Sequence, residues 1–190
     1  MTGKTHQIIG ISSGVAVMVY AAAPTYNPAT FAAVLVCSSL AALLPDIDQP
    51  ASDIWDNLPF GHKVSPIAAK FTFGHRNITH SLLGCAIFGG ALYFLVSKFP
   101  DYWGIDKSLL LSAMAISYGL HLLADSFTVE GIPLLFPIHR KFGLPPKPFD
   151  GIRILSGKWF ENLVIFPIVN IFLITLVVSG WHQIKNILFK

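Results

Sequence analysis

The chain has 190 residues, within the size of one domain, with 53% hydrophobic and 12% charged residues and a formal net charge of +3. A soluble protein of this size could not hide so much apolar surface, and basic residues this dispersed, with no aromatic stacking platform, exclude nucleic acid as the expected partner. The composition points to an all-α integral membrane bundle, read as a single multi-pass domain over residues 1–190.

Five apolar, nearly charge-free stretches follow in order: Gln7 to Ala23, Ala29 to Leu44, Ser81 to Ser97, Ser108 to Ala124 and Asn162 to Trp181. An apolar run of about 17 or more residues can span a hydrocarbon core roughly 30 Å thick, and these runs lie near that limit. The first two carry many Ala, Ser and Gly residues, which let membrane helices pack backbone to backbone. A soluble helical bundle would need a polar face at helical period, which none of the five shows convincingly. The first stretch has a second reading as a signal peptide, with Lys4 ahead of it and a small-residue region at Ala21 to Ala23. Cleavage there would discard His6. Cys37 and Cys85 fall inside spans, where they act as small apolar residues and no structural disulfide is expected.

Five spans put the termini on opposite sides. With the N-terminus in the cytoplasm, that side carries Lys4, Lys63, Lys70, Arg76, Arg140, Lys141, Lys147, Arg153 and Lys158, against Lys98, Lys107, Lys185 and Lys190 opposite. This bias predicts a cytoplasmic N-terminus, with both long loops, Pro45 to His80 and Asp125 to Glu161, on the cytoplasmic face. Anionic headgroups of membrane lipids are the expected partners of the basic loops. The oligomeric state is open.

Metal-ligating residue types sit at the ends of the stretches. His6 opens the first, Asp46 and Asp48 close the second, His75 and His80 flank the start of the third, and His121 and Asp125 close the fourth. In an alternating topology all seven share one face. Pro45 ends the second helix and is expected to present Asp46 and Asp48 from an extended turn. In Gly74-His75-Arg76-Asn77-Ile78-Thr79-His80-Ser81, the two histidines can converge, Ser81 or Thr79 can cap the third helix, and Arg76 can offer its planar fork to a phosphate. His121 and Asp125, four apart on a helix, point the same way and either share a metal or pair so that Asp125 orients His121. Each motif has a bland counterpart: solvated loop carboxylates, an interfacial arginine anchor, a commonplace N-terminal histidine. Their agreement in side is what makes a composite site the expectation. His62 and His139 lie in the long loops and His182 on the opposite face, so they are weaker candidates.

Mixed imidazole and carboxylate ligands suit a divalent transition metal, zinc first, with manganese or iron as alternatives. Seven candidates exceed one tetrahedral shell, which leaves room for two ions. Such a centre lowers the pKa of bound water and clamps the oxygens of a phosphoryl displacement.

The runs Leu-Pro-Asp-Ile-Asp-Gln-Pro, Gly-His-Arg-Asn-Ile-Thr-His-Ser and His-Leu-Leu-Ala-Asp followed by Gly-Ile-Pro-Leu-Leu-Phe-Pro resemble the YdjM-like family. Its members are described as LexA-regulated, inner-membrane-associated, metal-dependent hydrolases. The resemblance implies a multi-pass protein of the bacterial inner membrane, induced in the SOS response, with an activity whose substrate is left open. Carried over by position, the matching residues are His6, Asp46, Asp48, His75, Arg76, His80, Ser81, His121 and Asp125, with Gly131 and Pro133 in the turn after the fourth helix. Where many members have Thr-Gly-Ser ahead of a glutamate, this chain has Leu155-Ser156-Gly157-Lys158 ahead of Glu161. The His-x-x-x-Asp pair also looks like a ligand pair of zinc-dependent phospholipase C and P1 nuclease folds, which makes phosphoester hydrolysis the first reaction to consider.

The leading functional reading is therefore a membrane hydrolase acting on a phosphoester or lipid-linked substrate. His6, Asp46, Asp48, His80, His121 and Asp125 are the expected metal ligands; His75 and Arg76 are the expected catalytic residues, a proton carrier and a stabiliser of developing negative charge. The alternative is a non-enzymatic membrane protein, a metal-ion carrier or a stress-response interaction partner. A carrier should place its ligands near the bilayer midplane, not at helix ends.

Overall fold

The computed structural model describes residues 1–21, 27–71, 76–138 and 140–189. Among them the structure is helical, with two isolated β-bridges and no extended strand. Each of the five expected apolar stretches corresponds to a helix: α1 (Gly3–Tyr20), α2 (Pro28–Ala41), α5 (Leu82–Ser97), α6 (Lys107–Ser126) and α7 (Phe166–Ser179). A π-helical turn, Glu161–Ile165, leads into α7. Ala22 and Ala23, the expected end of the first stretch, lie outside the described residues.

The ends of these helices are set by residues that satisfy otherwise unpaired backbone donors. Asn27 Oδ1 accepts from the Thr30 amide at 2.6 Å, Ser81 Oγ from Gly84 at 3.1 Å, and Asp106 Oδ1 from Ser108 and Leu109 at 3.0 Å each. α1 begins earlier than hydropathy suggested, because Lys4 and Thr5 are good enough helix residues and His6 is drawn inward. His6 therefore lies inside the helix, not before it.

α1, α2 and α6 form the centre, with α7 packed on α1 and α5 on α6. Their contact is close because α1 carries Gly10 and Gly14 one helical turn apart against α2. A Cβ on Gly10 would stand 2.6 Å from both the Ala42 Cβ and the Ser38 carbonyl, and one on Gly14 would collide with Ser38 Oγ. This is the small-x-x-x-small packing of membrane helices. Met18, Val34, Leu110 and Ala113 fill the centre, and Ser13 and Ser117 share a 2.6 Å hydroxyl contact between α1 and α6.

The outer helices are apolar on the side that faces away from the protein. Leu163 is 71% and Val178 70% exposed on the α7 side, and Tyr93, Phe94 and Leu95 are exposed on α5. Apolar surface of this extent marks an interaction with something apolar. Two helical runs have the length and composition to cross a membrane, Lys107–Ser126 and Glu161–Ser179. At a 1.5 Å rise per residue each covers about 30 Å. α2 and α5 are apolar but have 14 and 16 residues, and Ser, Thr and Gly dilute the hydropathy of α1. Among the described residues the structure thus shows two helices of full spanning length where five were expected.

The long loops, though rich in Pro and Gly, contain ordered segments. The first contains a 3₁₀ segment Leu44–Asp48, the short α3 (Asp53–Asp56) and α4 (Gly61–Phe71), which holds Pro66. Trp55 and Ile54 anchor this loop on Leu43. The second is tied by bridges between Thr128 and Ile154 and between Ile132 and Phe142. A last short helix, α8 (Trp181–Leu188), turns at Gly180 against Val19 near the far end of α1.

The close approach at Gly10 gives a direct test. Gly10→Val should destabilise the detergent-purified protein by about 1–3 kcal/mol through overpacking, read as a lower Tm. Gly89→Ala, on α5 with no atom within 4 Å of the added Cβ, should be neutral or stabilising by helix propensity.

Candidate metal centre

Five helix termini meet at one end of the bundle: the start of α1, the end of α2 with its 3₁₀ extension, the start of α5, the end of α6 and the entry to α7. One ligand atom each from Asp46, His80, His121 and Asp125 lies within 4.8 Å of the other three, and all four residues are buried. The Nε2 atoms of His80 and His121 face each other at 3.2 Å. Asp46 Oδ1 is 3.5 Å from the first and 3.7 Å from the second, and Asp125 Oδ2 is 3.5 Å and 3.8 Å from them.

These separations fit a common ion. Two ligands on one tetrahedral centre with bonds of about 2.0–2.2 Å stand about 3.3–3.6 Å apart. Asp125 Oδ2 also has no hydrogen-bond donor although it is buried. Arg76 Nη2 approaches it to 2.7 Å, but not in hydrogen-bond alignment. Asp125 Oδ2 thus faces the two imidazole nitrogens with a lone pair that no hydrogen bond occupies, open to a metal ion.

Surrounding groups fix each ligand. The His121 Nδ1–H donates to the Ala42 carbonyl at 2.6 Å, which leaves Nε2 as the free lone pair. His80 Nδ1 lies 3.0 Å from Thr79 Oγ1, which donates to Asp48 Oδ2 at 2.5 Å; Tyr118 donates to the Thr79 carbonyl. Asp125 is held through Oδ1 by His6 Nε2 at 3.1 Å and by the amino group of Met1.

His6 and Asp48 stand outside the four-atom group. The His6 ring stacks on His121 with centroids 3.6 Å apart, and its Nδ1 has no partner. Asp48 does not join Asp46 because the expected extended turn is instead a 3₁₀ segment: at three residues per turn, side chains two apart diverge. Asp46 is thus turned to the two Nε2 atoms, whereas Asp48 lies on the other side of the His80 ring, its Oδ2 3.6 Å from Nδ1 and accepting from the Arg76 amide at 2.8 Å.

Arg76 adopts φ 56°, a strained conformation for a residue with a Cβ. Its buried guanidinium reaches Asp125, Thr128 Oγ1 at 3.0 Å and Glu130 at 3.0 Å. The Gly131 carbonyl lies 3.4 Å away. Gly131 itself has φ 61°, and a Cβ there would meet the Phe142 carbonyl at 2.5 Å. His75 and His139 lie outside the described residues. His62 is exposed and pairs with Asp56 at 2.9 Å, and His182 is exposed on α8 at the other end.

Glu161 is fully buried, but its carboxylate serves another purpose. Oε1 accepts from the Thr2 amide at 2.7 Å, Thr2 Oγ1 at 2.8 Å and Thr5 Oγ1 at 2.7 Å, while Oε2 accepts from the Gly157 amide at 2.7 Å. An anion at the start of α1 also suits the helix dipole. Above the cluster opens a polar cleft of 810 Å³, whose walls include Asp46, Arg76, Lys4, Asp53 and Glu130.

Burial opposes ionisation of Asp46, yet the neighbouring His121, His80 and His6 outweigh it and hold its pKa down at about 2. Burial likewise opposes charge on His80, but the adjoining carboxylates of Asp125, Asp46 and Asp48 push its pKa up to about 10. The Asp46 contribution to stability is complete above its ordinary 3.8 and is lost as pH falls toward 2; that of His80 is complete below 6.5 and is lost as pH rises toward 10. Metal-free protein in chelator should therefore show its highest Tm between about pH 4 and 6.5 and a decline above. Added zinc should help most on the alkaline side, where it displaces the His80 proton. A metal-free Tm that climbs from pH 7 to 9 would contradict this.

The comparisons with known proteins converge on one family. The family model described as YdjM inner membrane protein matches residues 1–185. The inner membrane protein YdjM of Escherichia coli (strain K12) is 36% identical over 145 residues, covering 76% of this chain and 70% of that protein. YvsG of Bacillus subtilis (strain 168) is 34% identical over 165 residues, covering 87% of this chain and 88% of that protein. No solved structure matches. A match over nearly the whole length, with relatives above one-third identity, means that the chain belongs to the YdjM inner membrane protein family.

Proposed function

We propose that this protein is a metal-dependent hydrolase of the bacterial inner membrane, acting on a phosphoester or lipid-linked substrate at the cytoplasmic face. The observation that carries the reading is the pair of Nε2 atoms 3.2 Å apart, flanked by two buried carboxylates beneath a polar cleft. In this reading α1, α2, α5, α6 and α7 cross the membrane in alternation. The short α2 and α5 are accommodated by local thinning of the bilayer. The excess of Lys and Arg on the side of the two long loops supports a cytoplasmic N-terminus, and the names of relatives support the inner membrane.

A divalent ion, zinc first, would supply a water of lowered pKa and polarise a phosphoryl oxygen. His80, His121, Asp46 and Asp125 are the residues that would hold it. His6 orients Asp125 through Oδ1 and packs on His121, while Asp48 fixes the loop that carries Arg76 and His80. Asp46 borders the cleft, so a reacting group reaches the cluster on that side. Arg76 holds Asp125 in place and, at the cleft wall, adds positive charge close to where an anionic substrate would sit. His75, in the same loop, is retained as the proton carrier of this proposal.

A second reading, a non-catalytic metal site that only ties helix ends together, is favoured by one observation: four protein ligands already complete a tetrahedron.

Elemental analysis of detergent-purified protein should find about one zinc-class ion per chain, and none in the His121→Ala, Asp125→Ala double variant. His6→Ala should retain the ion with affinity lowered about 10–100-fold, as expected for an orienting partner. The loaded wild type should hydrolyse p-nitrophenyl phosphate or its diester, and the double variant should not. Bound metal without hydrolysis of any phosphoester would favour the non-catalytic site; no metal would sink both readings.

A further inference from the structure

The polar cleft is not the only large cavity. An apolar groove of 850 Å³ runs between α1, α6 and α7, walled by Ile9, Ala16, Leu120, Leu123, Ile168 and Phe172. Two serines also border it, but Ser12 donates to the Ile8 carbonyl, and Ser13 is occupied with Gly10 and Ser117. Their hydroxyls are consumed within the bundle, so the walls offer hydrocarbon.

Its position ties it to the metal centre. The lining runs along α1 from Ile9 to Tyr20 and along α6 from Ile116 to Phe127. At 1.5 Å per residue that is about 16 Å, roughly the depth of one leaflet of a 30 Å hydrocarbon core. The groove begins at the level of the cluster. Ile9 lies one turn beyond His6, and Leu123 and Ala124 lie between His121 and Asp125 in the chain. On α7, Phe166 borders the polar cleft and Ile168 the groove. Ile116, Leu123 and Phe172 are about half exposed, so the groove is open along its side.

We propose that the groove holds one hydrocarbon chain of a lipid phosphate whose phosphate sits in the polar cleft. The substrate is then a phosphorylated long-chain lipid, drawn sideways from the cytoplasmic leaflet, and not a soluble phosphoester. This rests on the hydrolase reading of the centre. Water adds its oxygen to phosphorus, the bond from phosphorus to the chain oxygen breaks, that oxygen takes up a proton from the water, and a lipid alcohol and inorganic phosphate leave. Lys4 and Arg76 bring positive charge to the cleft against Asp46, Asp53 and Glu130; Glu130 is paired with Arg76, and a divalent ion would offset Asp46.

The test compares butyl phosphate with dodecyl phosphate on metal-loaded protein in nonionic detergent, for wild type and for Ala16→Phe, which fills the groove far from the cluster. Wild type should favour the longer chain in kcat/KM by at least about tenfold, the effect of burying roughly two methylenes. Ala16→Phe should erase that preference, lowering kcat/KM for dodecyl phosphate by at least about tenfold more than for butyl phosphate. Equal rates for the two chains in wild type, or equal losses for both in the variant, would overturn the groove and leave the hydrolase standing. Hydrolysis of neither sinks the hydrolase reading, and a binding measurement then decides the groove. In metal-free Ile116→Trp protein, a brominated dodecyl phosphate should quench the new tryptophan saturably, with competition by dodecyl phosphate and none by dodecanol. Quenching that does not saturate, or that dodecanol relieves equally, would overturn the proposal.

Discussion

The carboxylate of Asp125 is the constraint around which the rest is arranged. It sits at the end of α6 with its side chain 1% exposed, where an uncompensated charge would cost several kcal/mol. Compensation comes from every direction: His6 from α1, Arg76 and His80 from the segment before α5, and His121 one turn back on its own helix. None of these partners could reach Asp125 unless the corresponding helix ends were brought to the same level. The bundle geometry and the charge balance of the centre are thus one requirement seen from two sides.

Close helix contact serves that requirement. Gly10 and Gly14 let α1 settle against α2 so that His6 and Asp46 come within reach of α6. The His121 bond to the Ala42 carbonyl exists because α2 ends in a short turn that leaves this oxygen free of a helical partner. Packing of small residues in the apolar layer and ligand placement at its edge are therefore coupled. Filling one of these glycines would disturb the ligands without touching them.

Much of this was legible in the residues. The five apolar stretches predicted the five long helices, and the His and Asp residues at their ends include the four that come together, Asp46, His80, His121 and Asp125. The sequence pattern could not distinguish the Asp46 carboxylate from Asp48, since that depends on a 3₁₀ turn whose side chains diverge. Nor could it show that Arg76 is buried in an ion pair, because a left-handed backbone at a non-glycine residue has no local signature. Glu161 looked like an outlying candidate, but its carboxylate is saturated by four donors from the start of α1 and the Gly157 turn. The helical content of the first long loop was masked by its Pro and Gly residues, among them Pro66 inside α4. The lengths of α2 and α5 also fell short of the hydropathy pattern, because capping and a 3₁₀ turn end a helix before its apolar run does.

The Glu161 clasp has a consequence for how the centre comes into being. The residue that seats the first turn of α1 is supplied by the entry to α7, 156 positions after Thr5 in the chain. During synthesis, His80, His121 and Asp125 emerge well before that clasp can close, and the loop-closure cost of so distant a contact is met only at the end. Until then α1 relies on its packing against α2 and α6 alone to hold His6 over Asp125. Seating of the first turn of α1 is therefore tied to the docking of the last apolar helix, so a chain truncated ahead of Glu161 would carry the ligands and lack the clasp on the turn that bears His6.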